Sequence, residues 1–340
     1  MDFNLKKFRN NKRAFWSFIF LISIFIITLF AEIIANDKPI VMKYGNRFYF
    51  PIYQNITERE IGLELETEID FKDQYVNSFI HKDTRNFLIW PPIKFSYDTI
   101  NYELQEPSPA APNIQNLLGT DDQGRDVLSR VIYGVRVSLL FGFSLSILSL
   151  FIAIFIGAIQ GYFGGKVDII IQRFTEIWSS MPTLFLLIIL SSLIEPRISS
   201  LLFLMLLFSW ITTSFIVRAE FLRIKNFDYV IAAKAMKASN SRIIIKHILP
   251  NAMPLILTNF PFLITSSIIT LTSLDFLGLG LPVGSASLGE LLNQGKNNLN
   301  GYHLALTGFL AISSILVSLI FIAEGVRDAL NPLLKENSYS

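Results

Sequence analysis

The chain has 340 residues, of which 51% are hydrophobic and only 16% charged, with 30 Phe, 3 His and no Cys. Soluble globular chains carry about 25% charged residues, so this composition argues against an ordinary soluble catalyst, and the lack of Cys removes disulfides, thiolate metal ligands and Cys nucleophiles. A formal net charge of +2 argues against a nucleic-acid binder.

The first thirteen residues hold Lys6, Lys7, Arg9, Lys12 and Arg13, and an apolar run follows over 14–35. A signal peptide starts the same way, but this run is longer than a signal core and no small-x-small cleavage site follows it, so it reads as a retained first span. Residues 36–136 form an insertion with 11 Lys/Arg and 15 Asp/Glu. Within it Ile61, Leu63, Leu65 and Ile69 alternate with Glu60, Glu64, Glu66 and Glu68, which predicts a half-buried strand. Residues 47–53 and 86–97 read as strand or turn, with Pro51, Pro91 and Pro92 as breakers. A small β-containing cap is expected, its acidic row being either a solvated strand face or a surface that steers a basic ligand or partner.

A Pro/Ala/Ser hinge covers 107–112. After it Thr120 or Asp121 is the expected cap of a helix whose apolar residues Val127, Leu128, Val131, Ile132 and Val135 recur at helical spacing. Arg125 and Arg130 fall off that face, so this helix is expected along the outer surface, feeding the second span. Five further apolar segments, 137–160, 177–194, 198–217, 254–275 and 303–323, are each near the ~20 residues needed to cross ~30 Å of hydrocarbon. Six spans give an all-α membrane protein. With the N-terminus inside, the short inner segments 1–13, 161–176, 218–253 and 324–340 hold 16 Lys/Arg against 2 in the outer short loops. The excess sets both termini cytoplasmic and the 36–136 insertion extracytoplasmic.

The spans lack the marks of other membrane functions. Glu32, Glu176, Asp275 and Glu324 lie at span ends, whereas ion-coupled carriers keep ionisable groups near mid-bilayer. The segment 161–166 lacks the first Gly of a phosphate-binding loop and has Val167 where a hydroxyl is needed. His81, His247 and His303 are scattered, and no hydrolase signature is present. A receptor or scaffold would need only one or two spans. What the fifth span does carry is a polar face of Asn259, Ser266, Thr270 and Ser273 beside a row of Thr258, Thr265 and Thr272. These either line a hydrated path or bond to helix carbonyls and neighbouring helices. Pro182 and Pro261 interrupt backbone bonds in spans three and five.

The inner segment 218–253 holds seven basic residues and a cluster of Ala232, Ala233, Ala235 and Ala238. Asn226 or Asp228 is the expected cap of a short helix, followed by a break at Ser239 and Asn240 and a second basic helix ending at Pro250. Small side chains there allow close approach of another surface.

This segment resembles the EAA loop of ABC-importer permeases, E-A-A-x-x-x-G followed at a distance by I-x-L-P. Ala232 and Ala233 match the two alanines, and Ile248, Leu249 and Pro250 match the end. Ile231 stands at the Glu place and Lys237 at the Gly place. LGTDDQGRDVLSRVIYGVRVSL (118–139), TSLDFLGLGLP (272–282) and AEGVRDALNP (323–332) resemble the dipeptide and oligopeptide branch. IANDKPI, NRFYFP, GYFGGKVDIIIQRF, MPTLFL, VRAEFLRIKNFDY and SLGELLNQGKNNL resemble its Yej-type sub-branch, which imports microcin C and peptides.

The resemblance implies the type I importer permease fold, with the chain as one half of a pathway for peptides. It implies a second, different permease chain, an extracytoplasmic solute-binding protein, and a cytoplasmic ATPase with two nucleotide sites that uses ATP and Mg. The chain itself is expected to be neither an enzyme nor a cofactor or metal binder. General dipeptide, oligopeptide or nickel import are the alternatives, nickel being disfavoured because the spans hold no cluster of His or acids. Ala232, Ala233, Lys237, Ile248, Leu249 and Pro250 are the implied ATPase-coupling residues, with Ala232 and Ala233 facing the ATPase groove and Lys237 at its rim. A Lys in the left-handed region costs about 1–2 kcal/mol, so the turn is expected to shift from Lys237 to Asn240.

Overall fold

The computed structural model describes residues 5–64, 66–83, 85–104, 106–195, 197–298 and 300–330. In chain order the elements begin with helices α1 (Leu5–Asn10), α2 (Lys12–Leu29) and α3 (Ala31–Ile34), followed by strands β1 (Val41–Tyr44) and β2 (Arg47–Tyr49). Next come α4 (Gln74–Ile80), β3 (Phe87–Ile89), α5 (Val127–Phe163), α6 (Gly165–Ser179), α7 (Thr183–Leu193), α8 (Ile198–Ser209) and α9 (Ile211–Ile224). The last are α10 (Asp228–Ala235), α11 (Asn240–Arg242), α12 (Leu249–Phe276), α13 (Leu288–Asn297) and α14 (Tyr302–Leu330). Two compact units result: one of Met1–Ser23, Ser138–Pro282 and Ile312–Ser340, the other of Ile24–Val137 and Val283–Ala311.

Among the described residues, α2, α5, the continuous helix Asn240–Phe276 and α14 are each long and apolar enough to cross a membrane. The pairs α6/α7 and α8/α9 pass the same test together, bent by 73° and 40°, which gives six spans. The first bend falls at Pro182, whose extended backbone caps α7. A proline has no N–H to continue the ladder and holds its predecessor out of the helical region.

In the first unit, α2 starts where Asn11 Oδ1 accepts from the Ala14 backbone N–H at 3.2 Å, an N-cap, while Asn11 Nδ2 donates to Asp328 of α14 at 3.2 Å. Ala14 is fully buried, and a Cβ added at Gly325 would meet its methyl at 2.3 Å. The two helices touch because both residues are small. The same device joins α5 to α9. A Cβ at Gly157 would lie 2.6 Å from the Ser214 carbonyl oxygen, and one at Gly161 would lie 2.4 Å from Phe221 Cβ. Glycines four apart share one helix face and let backbones approach. Leu140, Ile147, Leu148, Phe151 and Phe155 remain exposed on α5, the expected dress of a face turned to lipid.

The second unit contains the sheet, ordered β2-β1-β3 and antiparallel throughout, with Met42 opposite both Tyr49 and Leu88. Met42 packs with Ile56, Ile61, Ile69, Phe71, Val76 and Ile80. Asp73 caps α4 by accepting from the Tyr75 N–H at 2.7 Å. The strand expected at 60–69 is not formed. Glu58–Ile61 is a 3-10 turn ended by Gly62 at φ 91°, and Thr57 bridges Glu68. Ile61 and Ile69 are both buried, but by a loop folded back on itself, so the alternation recorded burial without extended pairing. Leu65 lies outside the described residues.

The helix preceding the second span also differs from expectation. It begins at Val127 and runs without interruption to Phe163. Asp126, not Thr120 or Asp121, caps it by accepting from the Ser129 N–H at 2.8 Å. Nor do Arg125 and Arg130 lie on an outer surface: their side chains are 3% and 0% exposed. Asp121 accepts from Arg125 Nε at 2.7 Å, and Glu290 of α13 pairs with Arg125 at 3.1 Å and Arg130 at 2.7 Å. Burial lowers the Arg125 pKa, but Asp121 and Glu290 outweigh it and the net shift is upward, so the guanidinium stays charged. Off the apolar face, these two arginines meet not solvent but Glu290, 165 and 160 residues downstream.

Candidate transport pathway and coupling segment

Helix α12 carries Pro254 and Pro261 in its interior, each removing one backbone donor. Its polar side chains bond back to the helix: Asn259 Nδ2 donates to Leu255 O at 2.8 Å, Ser266 to Leu263 O at 2.9 Å, Thr270 to Ser266 O at 2.9 Å and Ser273 to Ile269 O at 2.8 Å. Each hydroxyl proton is thereby used, and the oxygen lone pairs remain to accept.

Asn259, Ser266 and Thr270 line a cleft of about 320 Å³ within the first unit, together with Thr183 of α7, Ser209 at the end of α8, and Thr212 and Thr213 of α9. Ser273, one turn further along, is not among its lining residues. Buried Ser267 lies 3.3 Å from Ser146 of α5, hydroxyl to hydroxyl. Ser267 also lines the first cleft, and Ser266 and Thr270 line it while bonding to their own helix carbonyls. A second cleft of about 750 Å³ shares Asn259 and Phe262 with the first and adds Glu220, Arg223, Glu324 and Arg327. The lining hydroxyls of α7 to α9 show no sustained helical periodicity, Thr183 being isolated and Ser209 parted from the adjacent Thr212 and Thr213 by the bend between α8 and α9, so no face stands out in the sequence.

The coupling segment begins at α10, and neither Asn226 nor Asp228 caps it; Phe227 holds the cap position without a side-chain bond. Its end is decided by hydrogen bonds. The Lys237 N–H donates to Lys234 O at 2.9 Å and the Ala238 N–H to Ala233 O at 3.1 Å, the two bonds of a Schellman C-cap. Lys237 itself takes the left-handed position at φ 58°, the one non-glycine residue to do so among those described. The turn does not move to Asn240. Ser239 already adopts the extended cap conformation and accepts from the Arg242 N–H, so Asn240 opens α11 in helical geometry. With the next cap fixed at Ser239, the reversal has to fall at Lys237.

Ala233 is 2% exposed and Ile248 0%, and both pack with Val217, Phe221, Ile224 and Val230 of the same chain. Ala233 therefore does not face an external groove; its small size lets α10 sit on its own spans. Ala232 and Lys237 are exposed, Leu249 is half-buried, and Pro250 is exposed near the start of α12. Pro250 does not end the second helix. The π-helical turn Ile243–Ile248 precedes it and α12 continues through it, since a widened turn absorbs a residue that has no N–H. The outward side of α10 carries Ile231, 53% exposed, and Met236, 77% exposed, beside Tyr229. Tyr162 of α5 braces the segment, donating to Asn240 Oδ1 at 2.7 Å with Lys234 Nζ 5.1 Å from its ring.

A profile described as "Binding-protein-dependent transport system inner membrane component" matches residues 153–336, which contain the coupling segment and, apart from Leu145, the lining of both clefts. The inner membrane ABC transporter permease protein YejE of Escherichia coli (strain K12) is 48% identical over 326 residues, 96% of this chain and 95% of that one. The chain belongs to this family of inner-membrane permeases. A second profile, "N-terminal TM domain of oligopeptide transport permease C", matches residues 4–54. The permease is also 45% identical over 351 residues to the peptidoglycan transport system permease protein YejE of Agrobacterium fabrum, covering 96% of this chain and 91% of that protein. It is 34% identical to the oligopeptide transport system permease protein OppC of Bacillus subtilis, over 72% of this chain and 79% of OppC. In fold it is similar to the inward-facing MetNI methionine ABC transporter, with a TM-score of 0.52 and 16% identity over 60% of this chain and 97% of the other. The expected type I permease architecture and the six-span, multi-pass inner-membrane character therefore hold.

Proposed function

We propose that this permease forms one half of the translocation pathway of an ATP-driven importer of peptides, of the oligopeptide and microcin C type. The observation that carries the reading is the cleft on α12. Two α12 hydroxyls in it, those of Ser266 and Thr270, give their protons to helix carbonyls and keep lone pairs that accept, which suits a cargo with N–H donors such as a peptide backbone. Names of the relatives, oligopeptide and peptidoglycan transport permeases, lean the same way. Both termini lie in the cytoplasm and residues 36–136 outside, as the charge count requires.

A second, different permease chain completes the pathway, and a periplasmic solute-binding protein delivers cargo. A cytoplasmic ATPase with two nucleotide sites binds ATP and Mg, and this chain performs no hydrolysis of its own. The outward face of α10, with Tyr229, Ile231, Ala232 and Met236, docks in a groove of that ATPase with Lys237 at the rim, and rigid-body closure of the ATPase is passed to the spans through Ala233 and Ile248. The test is uptake of labelled peptides by the assembled complex. Ser266→Leu and Thr270→Leu should each cut uptake several-fold with the complex still intact, and undiminished uptake in both variants would remove the cleft from the pathway.

A further inference from the structure

The second cleft, about 750 Å³, gathers charge of both signs where three spans end: Glu220 and Arg223 of α9 and Glu324 and Arg327 of α14, against the first half of α12. By the charge count these ends lie on the cytoplasmic side. The two Glu–Arg pairs have the same spacing, i and i+3 on one helix, but stand differently. On α9 the pair is closed: Arg223 Nε donates to Glu220 at 2.9 Å, and the guanidinium carbon lies 5.4 Å from the centre of the Phe227 ring. On α14, Glu324 and Arg327 form no ion pair with each other or with any other described residue. A carboxylate and a guanidinium one turn apart are thus left to the cleft.

The lining has no net formal charge, and that balance selects the occupant. A nucleotide or other polyanion would meet two carboxylates, and a polyamine two guanidiniums. An apolar ligand would strip water from both α14 charges and return nothing. A molecule with one ammonium and one carboxylate satisfies both through charge-assisted hydrogen bonds. In the same lining, Asn251 Oδ1 and the Thr258 hydroxyl oxygen, whose proton goes to Leu255 O at 2.6 Å, accept amide N–H groups. The volume is within the about 300–1,000 Å³ of small-ligand sites, which suits a peptide of a few residues.

We propose that this cleft binds short peptides with free termini from the cytoplasmic side, the terminal ammonium on Glu324 and the terminal carboxylate on Arg327. This rests on the peptide-import reading above and adds an inner site at which the two termini, not the side chains, are recognised. The experiment measures equilibrium binding of labelled trialanine to the assembled complex of both permease chains and the ATPase, without nucleotide or solute-binding protein, in phosphatidylglycerol nanodiscs with and without phosphatidylethanolamine. Binding should saturate, and should weaken about tenfold when the N-terminus is acetylated or the C-terminus amidated, one charged contact being lost each time. Glu324→Gln should remove the penalty for acetylation and keep that for amidation, and Arg327→Gln should do the reverse, a crossover that a merely structural role would not give. Absence of saturable binding, equal binding of free and blocked peptides, or penalties unmoved by either variant would overturn the inference. So would binding seen only without phosphatidylethanolamine, which would give the cleft to that lipid's zwitterionic headgroup. If the crossover appears but no peptide accumulates in proteoliposomes of the complete importer, the import reading falls and the site stands; accumulation without trialanine binding gives the reverse.

Discussion

At Lys237 a single residue stands where its backbone is least comfortable. The left-handed region costs a side-chain-bearing residue about 1–2 kcal/mol, and the Schellman bonds to Lys234 and Ala233 hold it there. Lys237→Gly removes that cost, so thermal unfolding of the purified permease should shift upward, by an amount matching about 1 kcal/mol; a downward shift would mean that the Lys side chain does more than occupy the turn. Gly161 is the opposite case. A Cβ there meets Phe221 at 2.4 Å and the Arg218 carbonyl at 2.7 Å, and backbone cannot retreat as a side-chain tip can. Gly161→Val should cost at least the 1–3 kcal/mol typical of overpacking, seen as loss of the monodisperse peak in detergent chromatography. Sequence reading located Lys237 as the anomalous residue but placed the turn three residues late, because the propensity of Asn for that conformation was weighed without the competing cap at Ser239.

Elements were legible to the extent that their signal is local. Six apolar runs announced six spans, and Pro51 and Pro91 bounded strands that end at Tyr49 and Ile89. Pro182, an expected interruption of span three, marks the bend between α6 and α7, whereas the early start of Asn240–Phe276 carries no such mark, since Pro250 allows more than one local outcome and packing selects among them. The acidic alternation at 60–69 misled for the same reason. Two tests belong at this scale. Arg130 is fully buried and held by Glu290 and the Ser285 carbonyl; Arg130→Gln leaves Glu290, 26% exposed, with Arg125 as its remaining ion-pair partner, which is destabilising by less than the loss of a fully buried pair. Limited proteolysis of the 24–137 segment should then accelerate sharply, and unchanged protection would mean that α13 is held without the ion pairs. On α10, Ala233→Asp puts a charge into the chain's own core and should lower stability before it affects coupling. Met236→Asp, on the exposed face, should leave the unfolding temperature unchanged and abolish ATPase co-purification; equal effects of the two variants on stability would contradict the assignment of inner and outer faces.

For the whole molecule, the asymmetry of 16 Lys/Arg against 2 in the short loops is the argument for cytoplasmic termini, and the absence of native Cys makes the orientation directly measurable. Glu64→Cys should react with an impermeant maleimide in intact spheroplasts, Lys237→Cys only after lysis. The reverse pattern would invert every assignment of inside and outside. Which face receives the cargo, and which the ATPase, follows from that orientation together with the clefts and the α10 surface. No stretch of sequence displayed the clefts, because their lining is gathered from α5, α7, α8, α9, α12 and α14, and Asn259 and Phe262 join them only in the folded chain. The claim that binds these features together is that the chain conducts peptides at the expense of ATP hydrolysed elsewhere. Reconstitution tests it most directly: proteoliposomes holding this permease with its second permease chain, the ATPase and the solute-binding protein should accumulate labelled peptide only with ATP, and lose that uptake when Met236→Asp replaces the native chain. Uptake that continues without this permease, or ATP hydrolysis by the complete complex that no peptide of any length can follow across the membrane, would contradict the account.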